Sequence, residues 1–88
     1  MHYVTEATYV DGYQIKVRFE NNEIKLVDLR SHLHGPVFEP LKDLSFFKKV
    51  EVNTDIDTIA WPNAADFSPD FLYEIGHLIS EQRDAVDG

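Results

Sequence analysis

This chain of 88 residues contains no cysteine, which removes disulfides, thiolate metal sites and cysteine nucleophiles together. Long apolar runs are missing too, and none approaches the roughly 20 residues that span a bilayer. Residues 1–20 lack the basic-then-apolar pattern of an export signal, so the cytoplasm is the expected location and no membrane contact is expected. The four glycines stand singly, so no Gly-rich phosphate loop exists to cradle a nucleotide. Repeats, linkers and low-complexity segments are lacking as well. Positive charge is scarce. Eight Lys and Arg stand against 16 Asp and Glu, a formal charge of −8, and residues 50–88 hold nine acidic groups and one Arg. Such a surface repels a phosphate backbone, so direct nucleic-acid binding is not expected. A basic protein partner suits the charge better.

What remains is the composition of one small globular domain. Hydrophobic residues make up 43% of the chain, with six Phe and four Tyr. That is enough for a thin single core over residues 1–88, with 83–88 read as a frayed tail.

The stretch Tyr13-Gln14-Ile15-Lys16-Val17-Arg18-Phe19-Glu20 alternates strictly, as a strand with one buried and one wet face does. Asp11-Gly12 before it and Asn21-Asn22 after it both suit tight hairpin turns. The reading is a three-stranded meander over residues 3–29, with Val4 and Val10 on the core side of the first strand. Two-residue loops would set Phe19 opposite Ile24 and Val17 opposite Leu26, with Lys16, Arg18 and Lys25 on one outer face. Gly35, Pro36 and Pro40 forbid a long element over 30–42, where Val37, Phe38 and Leu41 are expected to tuck onto the core. Asp43 reads as the cap of a short helix with Leu44, Phe46 and Phe47 inward. Residues 50–53 and 58–61 form a second hairpin around Thr54-Asp55-Ile56-Asp57, expected to close a separate small sheet. Ser68-Pro69-Asp70 has the marks of a helix start, and Phe71, Leu72, Ile75, Leu78 and Ile79 recur at helical spacing. A helix from Ser68 to Arg83 follows, with Gly76 as either a stop or a close contact. The fold class is α+β: an antiparallel three-stranded meander plus a second hairpin, one short helix and one C-terminal helix.

Chemistry-bearing residues are few. His32-x-His34 offers two imidazoles, and Asp55 and Asp57 two carboxylates, but the remaining ligands of a metal site are not evident. A polar loop and a turn account for the same residues. Ser31, Ser45, Ser68 and Ser80 sit in no nucleophile elbow, and no pair of carboxylates is placed across a cleft. No catalytic residue and no cofactor is assigned. Trp61, Pro62, Asn63 and Asp66 form a junction in which an indole either anchors a partner or completes the core. Edge strands in a domain of this size also invite a symmetric homodimer.

Val27-Asp28-Leu29, then Gly35-Pro36-Val37-Phe38-x-Pro40-Leu41, then Trp61-Pro62-Asn63-x-Ala65-Asp66 resemble the small bacterial family known as domain of unknown function 2442. The likeness covers roughly residues 3–75. It implies a compact α+β domain with no established enzyme activity and no agreed catalytic residues. It also implies a gene often placed beside a second small protein, of the family of domain of unknown function 4160, in a layout similar to toxin–antitoxin pairs. Some longer relatives append a helix-turn-helix domain, for which this chain ends too soon, so any DNA contact would require a partner. The family usually has Gly where this chain has Ala64. An ordinary φ is therefore expected at that position, because Ala would be strained at positive φ.

Overall fold

The computed structural model describes residues 1–79. Strands β1 (Val4–Asp11), β2 (Gln14–Phe19) and β3 (Ile24–Asp28) form the antiparallel meander. Two 3₁₀ turns, Arg30–His32 and Glu39–Lys42, fill the Pro- and Gly-punctuated connection. Helix α1 (Leu44–Phe47) follows, then the hairpin of β4 (Glu51–Asn53) and β5 (Thr58–Ala60), which closes a separate two-stranded sheet. Helix α2 (Pro69–Ile75) leads into β6 (His77–Leu78), a fourth strand on the main sheet, whose order is β1-β2-β3-β6.

The meander's second turn differs from expectation by one residue. Ile24 lies opposite Arg18, Leu26 opposite Lys16 and Lys25 opposite Val17. The cause is a three-residue loop. Phe19 N–H bonds the Glu23 carbonyl at 2.9 Å, Asn22 N–H bonds the Phe19 carbonyl at 2.9 Å, and Asn22 takes φ 69°. This is the tight turn closed by a left-handed residue, which Asn tolerates as readily as it does a two-residue turn. The slip moves Lys25 to the core face. Its aliphatic stem covers the sheet margin, while Nζ donates to the Tyr73 carbonyl at 2.7 Å and sits 3.5 Å from the Tyr73 ring centroid. Lys16 and Arg18 stay on the outer face, where Arg18 meets Glu6 at 3.2 Å. In β1 a register shift between Val4 and Glu6 switches the inward face from Val4 to Ala7 and Tyr9, so Tyr9 lies edge-on to Phe47 and Val10 is exposed.

Val4, Ile15, Val17, Phe19 and Val27 form the sheet side of the core, and Leu41, Phe47, Ile59, Trp61 and Leu72 close it from above. In the connection Leu41 is fully buried and Phe38 packs on the core, whereas Val37 and, in α1, Leu44 remain exposed. Asp43 caps α1 as its position predicts, accepting from Ser45 N–H at 3.0 Å. Ser68 does not cap α2 with its hydroxyl. The approach to that helix is tied instead through Thr58, whose hydroxyl donates to the Phe67 carbonyl at 2.6 Å.

The helical spacing that runs on to Ile79 is overridden at Gly76. Helix α2 stops at Ile75, Gly76 is extended (φ −74°, ψ 157°), and Leu26 and Lys25 pair with His77 and Leu78. Leu78 is exposed rather than inward, and residues 80–83 of the expected helix, like the tail at 83–88, lie outside the described residues. A Cβ at Gly76 would stand 2.9 Å from the Lys25 Cβ and 3.0 Å from the Leu72 carbonyl. Gly76→Ala is therefore expected to destabilise the protein by about 1–3 kcal/mol, the usual cost of overpacking, with chemical denaturation as the measurement.

Candidate functional site

The Trp61 junction is built from both ends. Trp61 N–H bonds the Ala65 carbonyl at 3.0 Å and Ala64 N–H bonds the Trp61 carbonyl at 2.9 Å. This is the same hydrogen-bond pattern that closes the Phe19–Glu23 loop, with Ala64 in the place of Asn22. Its φ is 71°, so the expectation of an ordinary φ at Ala64 is wrong. The turn demands the left-handed region and this chain accepts the strain there. Ala64→Gly is expected to raise stability by about 1 kcal/mol, the relieved left-handed strain less the extra freedom Gly gains when unfolded. A denaturant midpoint that falls would show that the turn is held by something other than backbone geometry.

Around this turn each side chain has a defined place. Trp61 is buried at 4% exposure, its indole N–H donating to the Phe47 carbonyl at 2.8 Å. The ring is therefore core, and any contact it offers a partner lies at its margin. Asn63 donates to the Val37 carbonyl at 2.9 Å and accepts from Ala65 N–H at 3.2 Å, which ties the turn to the Gly35–Phe38 loop. Pro62 and Asp66 are exposed, and Asp66 bridges to Ala60. An open groove of about 480 Å³ runs beside the junction, lined among others by Glu51, Val52, Asn53, Ala60, Trp61 and Pro62.

The other sequence candidates are not brought together. His32 packs edge-on against Phe71 at 5.1 Å, and His34 bonds the Ser31 carbonyl through Nε2 at 2.7 Å. Asp55 and Asp57 stay in the β4–β5 turn. Asp55 N–H bonds the Asn53 side chain at 2.8 Å, and Asp57, at φ 58°, gives its carbonyl to Val4 N–H at 2.9 Å. No group of three or more His, Asp or Glu suited to a metal ion occurs among the described residues.

A polar cluster that sequence reasoning missed lies at the N-terminus. His2 stacks on Tyr73 with centroids 3.6 Å apart, its Nδ1 is 3.0 Å from Glu20, and its backbone N–H donates to Asp70 at 2.7 Å. Tyr3 N–H donates to Glu20 at 2.8 Å. The hydroxyl of Tyr73 bonds Glu23, which holds that phenol above its ordinary range. His2 and Asp70 are 68 residues apart, and no local spacing announces the contact. The Tyr3 N–H bond, helped by His2, holds the Glu20 carboxyl below the ordinary carboxylate range despite some desolvation. A carboxylate depressed in the fold contributes stability above its unfolded pKa, and that contribution is lost as pH falls through the folded one. Glu20→Gln is accordingly expected to lower stability at neutral pH and to flatten the acid limb of the stability–pH curve below about pH 4.5. Parallel acid limbs for the two proteins would refute the assignment.

The two sheets, the buried junction and the groove define a small α+β domain in which an aromatic turn joins a hairpin to a helix. The chain belongs to the family described as Protein of unknown function (DUF2442), whose model matches residues 4–77. No curated protein and no solved structure matches it. No helix among the described residues is long and apolar enough to cross a membrane.

Proposed function

We propose that this chain is a non-enzymatic protein-interaction module acting in the cytoplasm, the acidic, antitoxin-like member of a bacterial gene pair, which binds a basic protein partner. One observation carries the reading. Residues 50–79 contain six carboxylates and no Lys or Arg, and all six (Glu51, Asp55, Asp57, Asp66, Asp70 and Glu74) are exposed. Among the described residues none of them is ion-paired with Lys or Arg. Asp70 serves the fold by accepting from His2 N–H, but so one-sided a surface repels itself and weakens the compact state. Placed against a cationic protein, the same charges speed encounter and select the partner. The reading as a small-ligand or metal-binding domain has less behind it: His32 packs on Phe71, His34 bonds the Ser31 carbonyl, and no group of three or more His, Asp or Glu suited to a metal ion occurs among the described residues.

Co-expression with the adjacent gene tests the proposal. The expected result is a complex that co-elutes on sizing, dissociates as ionic strength rises, and relieves any growth defect caused by the neighbour alone. Separate elution at low salt, together with no growth rescue, would overturn it. Elution of the chain alone at twice its mass would assign the contact surface to a homodimer instead.

A further inference from the structure

The β4–β5 ribbon has one covered edge and one open edge. On the β5 side, Ala60 bridges to Asp66 and Thr58 bonds the Phe67 carbonyl, so the segment 65–67 takes the place of a third strand. On the other side β4 has no strand partner among the described residues. β1 approaches β4 without pairing with it, and an unpaired strand edge is where peptides add a strand.

Beside that edge lies the groove described above. Val52 and Ile59, paired across the ribbon, face the core, so Glu51, Asn53 and Ala60 turn outward. Pro62, exposed and rigid, also lines it. The groove is therefore an outward-facing trough with a backbone rim, shaped for alternate side chains of a strand lying along it.

The charge selects the occupant. Glu51 lines the groove, Asp55 and Asp57 stand exposed at the hairpin tip, and Asp66 is exposed across the ribbon. Lys49 is the one cation in the lining, and its Nζ lies 5.9 Å from the Phe46 ring centroid, turned toward α1. Ile56, 45% exposed between the two aspartates, adds an apolar contact at the tip.

We propose that the open edge of β4 and the groove beside Trp61 and Pro62 receive an extended, Lys- or Arg-bearing segment of a partner protein, added as a third strand to the β4–β5 ribbon. This rests on the reading of the chain as a module for a basic partner and specifies where that partner docks. The edge is only three residues long, so backbone pairing fixes register while charge contributes much of the affinity. Binding is then strongly dependent on salt.

The test uses the whole chain, isotope-labelled for NMR, and three short blocked peptides. One alternates Lys and Val, one alternates Glu and Val, and one is the Lys–Val peptide with every amide N-methylated. The expected result is that the Lys–Val peptide alone shifts the amides of residues 51–54 and 60–61 and the Trp61 indole N–H. Its affinity should fall several-fold between about 50 and about 200 mM salt, and Glu51→Lys should weaken it likewise. N-methylation should abolish the shifts, because it removes backbone donors without altering the protein. Equal shifts with the N-methylated peptide, shifts located elsewhere, or no shifts at millimolar Lys–Val peptide would each overturn the strand-addition site. If the co-expressed neighbour still forms a salt-sensitive complex in that case, the module reading stands and only this docking site falls.

Discussion

The structure depends on a single hydrogen bond made where it is hardest to replace, the indole N–H of Trp61 to the Phe47 carbonyl. Trp61 follows β5, and Phe47 ends α1, where its carbonyl otherwise accepts only the long bond from Val50 N–H at 3.3 Å. The buried indole gives that carbonyl its shorter bond. Its ring at the same time tilts against the Phe47 ring at 5.6 Å and meets Phe67 edge-on at 6.0 Å. One side chain thus joins the short helix, the small sheet and the lead into α2. Phe67 carries the contact onward, stacking on Phe38 at 4.8 Å and Phe71 at 5.9 Å. The irregular 30–42 connection is held by this aromatic chain and by Asn63 rather than by regular structure.

From that constraint the functional surface follows. Because Trp61 is committed to the core, the turn after it must reverse within three residues, which places Ala64 at φ 71° and presses Pro62 outward. The reversal brings residues 65–67 back along β5 and covers that edge, leaving β4 as the open one. Glu51 lines the groove, and Asp55, Asp57 and Asp66 are exposed on the hairpin tip and the turn. Membership of a family defined by sequence alone gives the fold context but no chemistry. The functional reading rests on this charge and edge geometry.

Much of the fold was legible from local pattern. Strict alternation over 13–20 announced β2, and Asp11-Gly12 and the 54–57 turn placed two hairpins. Asp43 was correctly read as a cap, and the second hairpin does form its own sheet. What was illegible depended on contacts distant in sequence. Asn21-Asn22 fits two-residue and three-residue turns alike, so the one-residue slip that puts Lys25 inward had no local signal. Leu78 and Ile79 continue the spacing of α2 faithfully. The helix ends because Gly76 backs onto Lys25, a residue 51 positions earlier. At position 64 a non-Gly residue predicts an ordinary backbone. A well-packed turn imposed its geometry regardless, since a cost of about 1–2 kcal/mol is small against the burial it permits. Trp61, Asn63 and Asp66 were legible as a unit, but their division into buried anchor, staple and exposed acid required the coordinates.

Native-state amide hydrogen exchange on Trp61→Phe tests the central claim most directly, since Phe keeps an aromatic ring and removes the N–H. If the indole bond holds the two sheets as one cooperative body, protection should fall together at β2, β5 and α2, by about 0.5–1.5 kcal/mol, the net worth of a lost hydrogen bond to a carbonyl that keeps its Val50 partner. Loss confined to residues 58–67, with β2 unchanged, would show that the sheets are stabilised separately and that Trp61 is only a local feature of its turn.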